Sequence, residues 1–225
     1  MRPIEKTVFT ITSKETEVND MKFILIRHGE TYANSLYNTE ERILIGSHDA
    51  PVTYLNDTGK SQASITHSIL KDTQVDDIYV SDLTRTKQTA SIVFPHRTFH
   101  YTPLLRERSL GSDQGKRASD IFQSEDAWNY HVDLEKDTLE QRLTKRVSDG
   151  ENYLMVIDRC RTFLNQFNFN EKKTVAIVAH FHFIRCLIYV LLNKTPDLQM
   201  FELMIPNAEP IVFEYDGNQF HWVKY

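Results

Sequence analysis

The chain is expected to fold as an α/β domain on a mostly parallel sheet, and three observations point there. Short continuous apolar runs at 23–26, 77–80 and 174–179 have the length of buried strands and end in polar turns. Each is followed, directly or after a loop, by a stretch with apolar residues at helical spacing, at 58–70, 83–94 and 183–192. Strands alternating with helices imply right-handed β-α-β crossovers, with helices covering both faces of the sheet. The 225 residues include 13 Phe and 10 Tyr, enough to fill one sizeable core without disulfide or metal support.

Taken in order, residues 1–20 form an N-terminal extension, polar apart from Val8, Phe9 and Ile11, readable as a tail or an edge strand. Residues 21–225 form a single domain. Its first strand, 23–26, stops at Arg27-His28-Gly29. Asn56 and Asp57 supply caps for the 58–70 helix, whose apolar positions are Ala63, Ile65, Ile69 and Leu70. The strand at 77–80 leads to a helix over 83–94, ended by Pro95, and 98–101 reads as a third strand. Residues 118–147 are charged and poor in core material, the mark of an insertion or lid. The 151–167 stretch is amphipathic, with Leu154, Ile157, Cys160, Leu164 and Phe167 on one face. Two final strands, 211–215 and 219–223, flank Asp216-Gly217-Asn218, a hairpin signal whose exposed strand could pair across a homodimer.

Bulk features exclude several functions. A net charge of −5 is a poor basis for nonspecific nucleic-acid binding. The apolar stretch at 187–192 is far short of the roughly 20 residues that span a membrane. Cys160 and Cys186 sit in apolar stretches and read as buried free thiols, fitting a reducing, cytoplasmic setting. The first residues hold no apolar core of a secretory leader. Gly111 to Arg117 imitates a phosphate-binding P-loop but is one residue short and lacks the Ser/Thr. His96 and His100 are four apart yet flank a strand rather than lie on a helix, and no Cys-x-x-Cys exists, so neither metal nor cofactor is indicated.

In parallel sheets, ligands bind at the carboxyl ends of the strands. Three such ends deliver Arg27-His28, Ser81 to Arg85, and His180. Arg27 and Arg85 can each present a planar fork of donors to phosphate oxygens, and His180 precedes a helix N-terminus. His28 could then attack phosphorus in line, while the arginines stabilise charge on the equatorial oxygens. The leaving oxygen needs a proton, and Glu107 is the best-placed carboxyl in sequence to give it.

The residues that carry this chemistry also carry a resemblance. Leu25-Ile26-Arg27-His28-Gly29-Glu30-Thr31 with Asn34, Ser81 to Thr86, Leu105 to Gly115, and Val178-Ala179-His180 resemble, in order and spacing, the motifs of the histidine phosphatase (phosphoglycerate mutase-like) superfamily. The resemblance implies a three-layer α/β/α sandwich that needs no metal. It implies His28 as nucleophile, Glu107 as proton donor, and Arg27, Asn34, Arg85 and His180 as phosphate ligands. The chain departs from the pattern at Phe181 and His182, where glycine is common, at an apparent insertion over 47–54, and in residues 1–20. These leave the chemical core intact and bear on the substrate. The reading that follows is a phosphomonoesterase acting on a small phosphorylated metabolite. A phosphoglycerate mutase and a binding-only relative are the rivals. Arg185 reads as a structural salt-bridge partner and His182 as a pocket wall.

Overall fold

The computed structural model describes residues 21–121 and 137–223, so the N-terminal extension and the middle of the expected lid lie outside the described residues. Strand β1 (Met21–Arg27) is buried along nearly its whole length, and its alternating side chains divide the core in two. Phe23 and Leu25 pack with Val175 and Ile177 of β4 (Lys173–Ala179) beneath α6 (Tyr153–Leu164) and α7 (Phe181–Leu191). Ile24 and Ile26 pack with Ala176 and Val178 against the opposite helices, α2 (Asp57–Leu70) and α3 (Thr84–Val93). Period-two alternation in fully buried strands thus produces a three-layer α/β/α sandwich.

The sheet has six strands in the order β3-β2-β4-β1-β5-β6. The pairs β1–β4, β2 (Asp77–Ser81)–β4 and β2–β3 (His100–Thr102) are parallel. The terminal hairpin, β5 (Pro210–Tyr215) and β6 (Phe220–Val223), joins β1 antiparallel and closes one edge. The carboxyl ends of β2, β4 and β1 are therefore neighbours, at the end of the sheet where such folds bind ligands. Shorter helices complete the chain: α1 (Tyr32–Ser35), α4 (Ala118–Ile121), α5 (Leu139–Thr144) and α8 (Leu198–Glu202). Among the described residues, no helix is long and apolar enough to cross a membrane.

Two expected helix faces are buried only in part: Ile157, Cys160 and Leu164 of α6 and Ala63 and Leu70 of α2 turn inward as expected. On α6 the buried set is Tyr153, Val156, Ile157, Cys160, Phe163 and Leu164, while Leu154 is 41% exposed. The large rings of Tyr153 and Phe163 claim the inward stripe and turn Leu154 outward. On α2, Ile65 and Ile69 are exposed, and the helix rests on Gly59, Ala63, Thr66 and Leu70. Small residues win there because the helix must lie close to the loop that follows β1. The third strand starts two residues later than the sequence pattern suggests. The described ends of the lid segment are anchored, since Ala118 and Val147 close a small core with Leu44 and Leu110.

The approach of α2 to that loop depends on two glycines. A methyl on Gly29 would collide with the Gly59 carbonyl, and one on Gly59 would collide with the Glu30 carbonyl. The obstruction is backbone in both cases, so it cannot rotate away. Gly59→Ala is expected to cost about 1–3 kcal/mol by overpacking, read from urea or thermal unfolding. An unchanged unfolding midpoint would show that the loop after β1 is not held by this contact.

Candidate active site

Register brings the first two site residues together. Arg27 pairs with Ala179 across β1 and β4, and the His28 N–H donates to the Ala179 carbonyl at 3.0 Å. His28 and His180 therefore leave adjacent strands at the same level, with ring centroids 5.2 Å apart. The loop after β1 is pinned from two helices: the Gly29 N–H donates to Thr89 Oγ1 and the Glu30 N–H to Gln62 Oε1. From below, Asn207 Nδ2 donates to the His28 carbonyl and the Ala208 N–H to the Arg27 carbonyl.

The hydrogen bonds fix the state of each ring. His28 Nδ1 lies 2.7 Å from the Gly29 carbonyl oxygen, which can only accept, so Nδ1 carries the proton and Nε2 is bare. Burial, then the charges of Arg85 and Arg27, hold this ring well below the usual histidine range, and it is neutral at pH 7. His180 has the opposite tautomer. Its Nδ1 accepts from Arg85 Nε at 3.2 Å, leaving the proton on Nε2, which donates to Ser81 Oγ at 2.9 Å. Burial, then Arg85 and His28, likewise keep it neutral. Both His180 nitrogens are thus engaged by protein, so as the structure stands the ring orients Arg85 instead of offering an N–H to a ligand.

Arg85 is 1% exposed and is held by backbone. Its Nη1 donates to the His48 carbonyl at 2.9 Å and its Nη2 to the Gly46 carbonyl at 2.8 Å. Asp49 caps α3 at the Thr84 N–H, so the 47–54 stretch that looked like an insertion wraps the guanidinium. Two of the five Arg85 N–H groups remain for a ligand. Arg27 donates through Nη1 to the Ile205 carbonyl at 2.8 Å, and its buried Nε has no acceptor. Burial pulls both guanidinium groups down to about 10, against the favourable field of Glu107.

Glu107 is buried, not paired with its neighbours on a surface. Arg106 instead forms a bidentate pair with Asp82, and Arg108 stacks over Tyr153. The Glu107 carboxylate accepts from the Arg108 N–H at 2.8 Å and from the His182 N–H at 3.1 and 3.2 Å. Burial alone would raise this carboxyl; the His182 ring, by charge and by its side-chain contact, then His180 and the Arg108 N–H outweigh it and hold it well below its usual range. Asn34 is not joined to this network. Its Oδ1 accepts from the Thr31 N–H and hydroxyl in the cap of α1, and its Nδ2 is left over. Among the described residues Arg185 forms no salt bridge; it donates to the Leu203 carbonyl and lies 4.3 Å over the Phe181 ring, whose face stands in for an anion. His96 adopts a positive φ after Pro95, and His100 faces Asp77 and stacks on Tyr79.

The arrangement is a largely buried cluster of two guanidinium groups, two neutral imidazoles and one carboxylate. Residues 23–225 match the histidine phosphatase superfamily (branch 1), and the chain belongs to that family. It is 28% identical to a phosphoglycerate mutase of Candida albicans, over 88% of each chain. It is 38% identical to the fructose-2,6-bisphosphatase TIGAR of Mus musculus, over 43% of this chain and 36% of that one. The crystal structure of the alpha-ribazole phosphatase of Shigella flexneri superposes with a TM-score of 0.75 at 25% identity, over 90% of this chain and 95% of that one.

The buried rings set the pH dependence of stability. His28 and His180 bind protons less readily folded than unfolded, where histidine titrates near pH 6.5. Below that pH the unfolded chain takes up more protons, so stability is full above it and falls as pH drops. Glu107, also lowered, adds the same sign in more acidic solution. Thermal unfolding from pH 8 to pH 5 should show a falling midpoint below about pH 6.5. A flat profile would contradict the assignment of neutral buried rings.

Proposed function

We propose that the chain is a phosphomonoester hydrolase working through a phosphohistidine intermediate on a small phosphorylated metabolite. One observation carries this reading: His28 is neutral with its Nδ1–H spent on Gly29, so Nε2 offers a bare lone pair in the field of Arg27 and Arg85. The orphaned Nε of Arg27 and the two unused N–H groups of Arg85 supply donors for the oxygens of a bound phosphoryl group. Asn34 Nδ2 can join them. His180 holds Arg85 in register with the phosphate and does not itself need to touch it.

In the first step His28 Nε2 attacks phosphorus and the bond to the leaving oxygen breaks. That oxygen takes a proton from Glu107. The free protein holds Glu107 ionised, so the proton arrives with the substrate. A phosphomonoester whose second ionisation lies near pH 6 binds as the monoanion, and the incoming charge shifts the proton toward Glu107. In the second step Glu107, again a carboxylate, removes a proton from water as its oxygen attacks phosphorus. The P–N bond breaks and its electron pair returns to Nε2. Cys160 and Cys186, both buried and free, support a reducing, cytoplasmic setting.

The near full-length similarity to a phosphoglycerate mutase favours a second reading, in which a bound hydroxyl replaces water as acceptor. Release of inorganic phosphate from a panel of phosphorylated metabolites, with p-nitrophenyl phosphate as control, decides between them. Hydrolysis is expected with a bell-shaped pH profile, and His28→Ala should reduce it to background. Glu107→Gln should slow alkyl phosphates by about 10²–10⁴-fold and p-nitrophenyl phosphate far less, since nitrophenolate leaves without a proton. Phosphate release that survives His28→Ala would sink the reading. Equal losses on the two substrate types would place the acid elsewhere.

A further inference from the structure

His182 stands where the superfamily pattern commonly has glycine, and its contacts are specific. Its backbone N–H spans both oxygens of Glu107, and its ring Nδ1 lies 3.3 Å from Glu107 Oε2. A carboxylate oxygen accepts, so this contact needs the proton on Nδ1, which leaves Nε2 as the second ring nitrogen. The ring is fixed by edge contacts to Tyr153, at 5.7 Å, and to Phe181, at 5.1 Å. Its side chain is 31% exposed against 10% for Glu107, so it lies between the buried carboxyl and solvent.

We propose that His182 is a positioning residue that sets the proton affinity of Glu107 through its ring. The inference rests on Glu107 being the acid of the proposed reaction. Glycine at this position would keep the backbone N–H and lose the ring, so the ring is the specific addition. As the leaving oxygen takes the Glu107 proton, the Nδ1–H bond stabilises the carboxylate that forms. The ring keeps its Nδ1 proton throughout, so no charge is transferred to it and the proton balance of the two steps is unchanged.

Other groups act on the pair and do not replace this role. Glu107 also feels Arg27, Arg85 and His180, and from α6 the Tyr153 hydroxyl. His28 and the Cys186 thiol face it as well. Burial, the largest effect, lowers the proton affinity of the His182 ring; Glu107 opposes it, the Arg108 and Arg185 cations add to it, and the ring is neutral.

The test measures phosphoenzyme formation from an alkyl phosphate in a single turnover at saturating substrate, as a function of pH. The alkaline limb reports loss of the proton shared by Glu107 and substrate. His182→Ala should move that limb to higher pH by about one unit, because a stabilising donor to the carboxylate is gone. His182→Asn, which keeps an N–H donor but cannot titrate, should restore most of the limb position. An independent readout is the ring ¹⁵N spectrum, where His182 should be protonated at Nδ1 in the wild type and lose that preference in Glu107→Gln. An unmoved limb in His182→Ala, with Glu107→Gln still selectively slowing alkyl phosphates, would overturn this proposal and leave the reaction scheme standing. If Glu107→Gln does not slow alkyl phosphates selectively, the acid assignment fails and this proposal falls with it.

Discussion

The parallel pairing of β1 with β4 is the constraint on which the site depends. Its last bond, from the His28 N–H to the Ala179 carbonyl, sets two histidines side by side at the carboxyl end of the sheet. A one-residue slip would turn Phe23 and Leu25 toward the wrong core and carry His28 away from His180. Hydrophobic burial on both faces thus enforces the geometry of the polar groups at the strand ends. The same register exposes the Arg27 carbonyl and the His28 carbonyl to the 205–208 segment, which fastens them from outside the sheet.

Burying two guanidinium groups beside two imidazoles is electrostatically costly, and the structure meets that cost with carbonyls instead of counterions. Gly46, His48 and Ile205 each present a carbonyl to an arginine, while Glu107 is the anion whose field both arginines share. Burial first, and then the cations, suppress protonation of His28 and His180, so the site holds positive charge without acid rings. Such a cluster favours a ligand that brings negative charge and a proton together. A phosphomonoester monoanion does both.

Much of this was legible in the sequence, for identifiable reasons. The apolar runs that became β1, β2 and β4 are buried on both faces, so they read as continuous hydrophobic strands, and the polar groups at their ends announced the crevice. The role of 46–54 was hidden because it holds Arg85 through backbone: carbonyls of Gly46 and His48 carry no side-chain signature. Asn207, distant in sequence, gave no signal for the same reason that its partner is a main-chain carbonyl. His180 was readable as a site histidine, but its tautomer depends on Ser81 and Arg85 in space. The inward faces of α2 and α6 were legible only in part, because ring size and glycine contact, not hydrophobicity alone, decided which residues turned inward. Asn34 belonged to the motif, yet local capping claimed its carbonyl oxygen.

The central claim is that His28 Nε2 forms a covalent bond to phosphorus. Rapid quenching of the protein during turnover of a phosphomonoester, followed by mass mapping of the peptides under alkaline conditions, tests it directly. The account predicts one phosphoryl group on His28, lost on mild acid treatment and absent from His28→Ala. Turnover with no labelled peptide, or an acid-stable label on a serine or threonine, would contradict it.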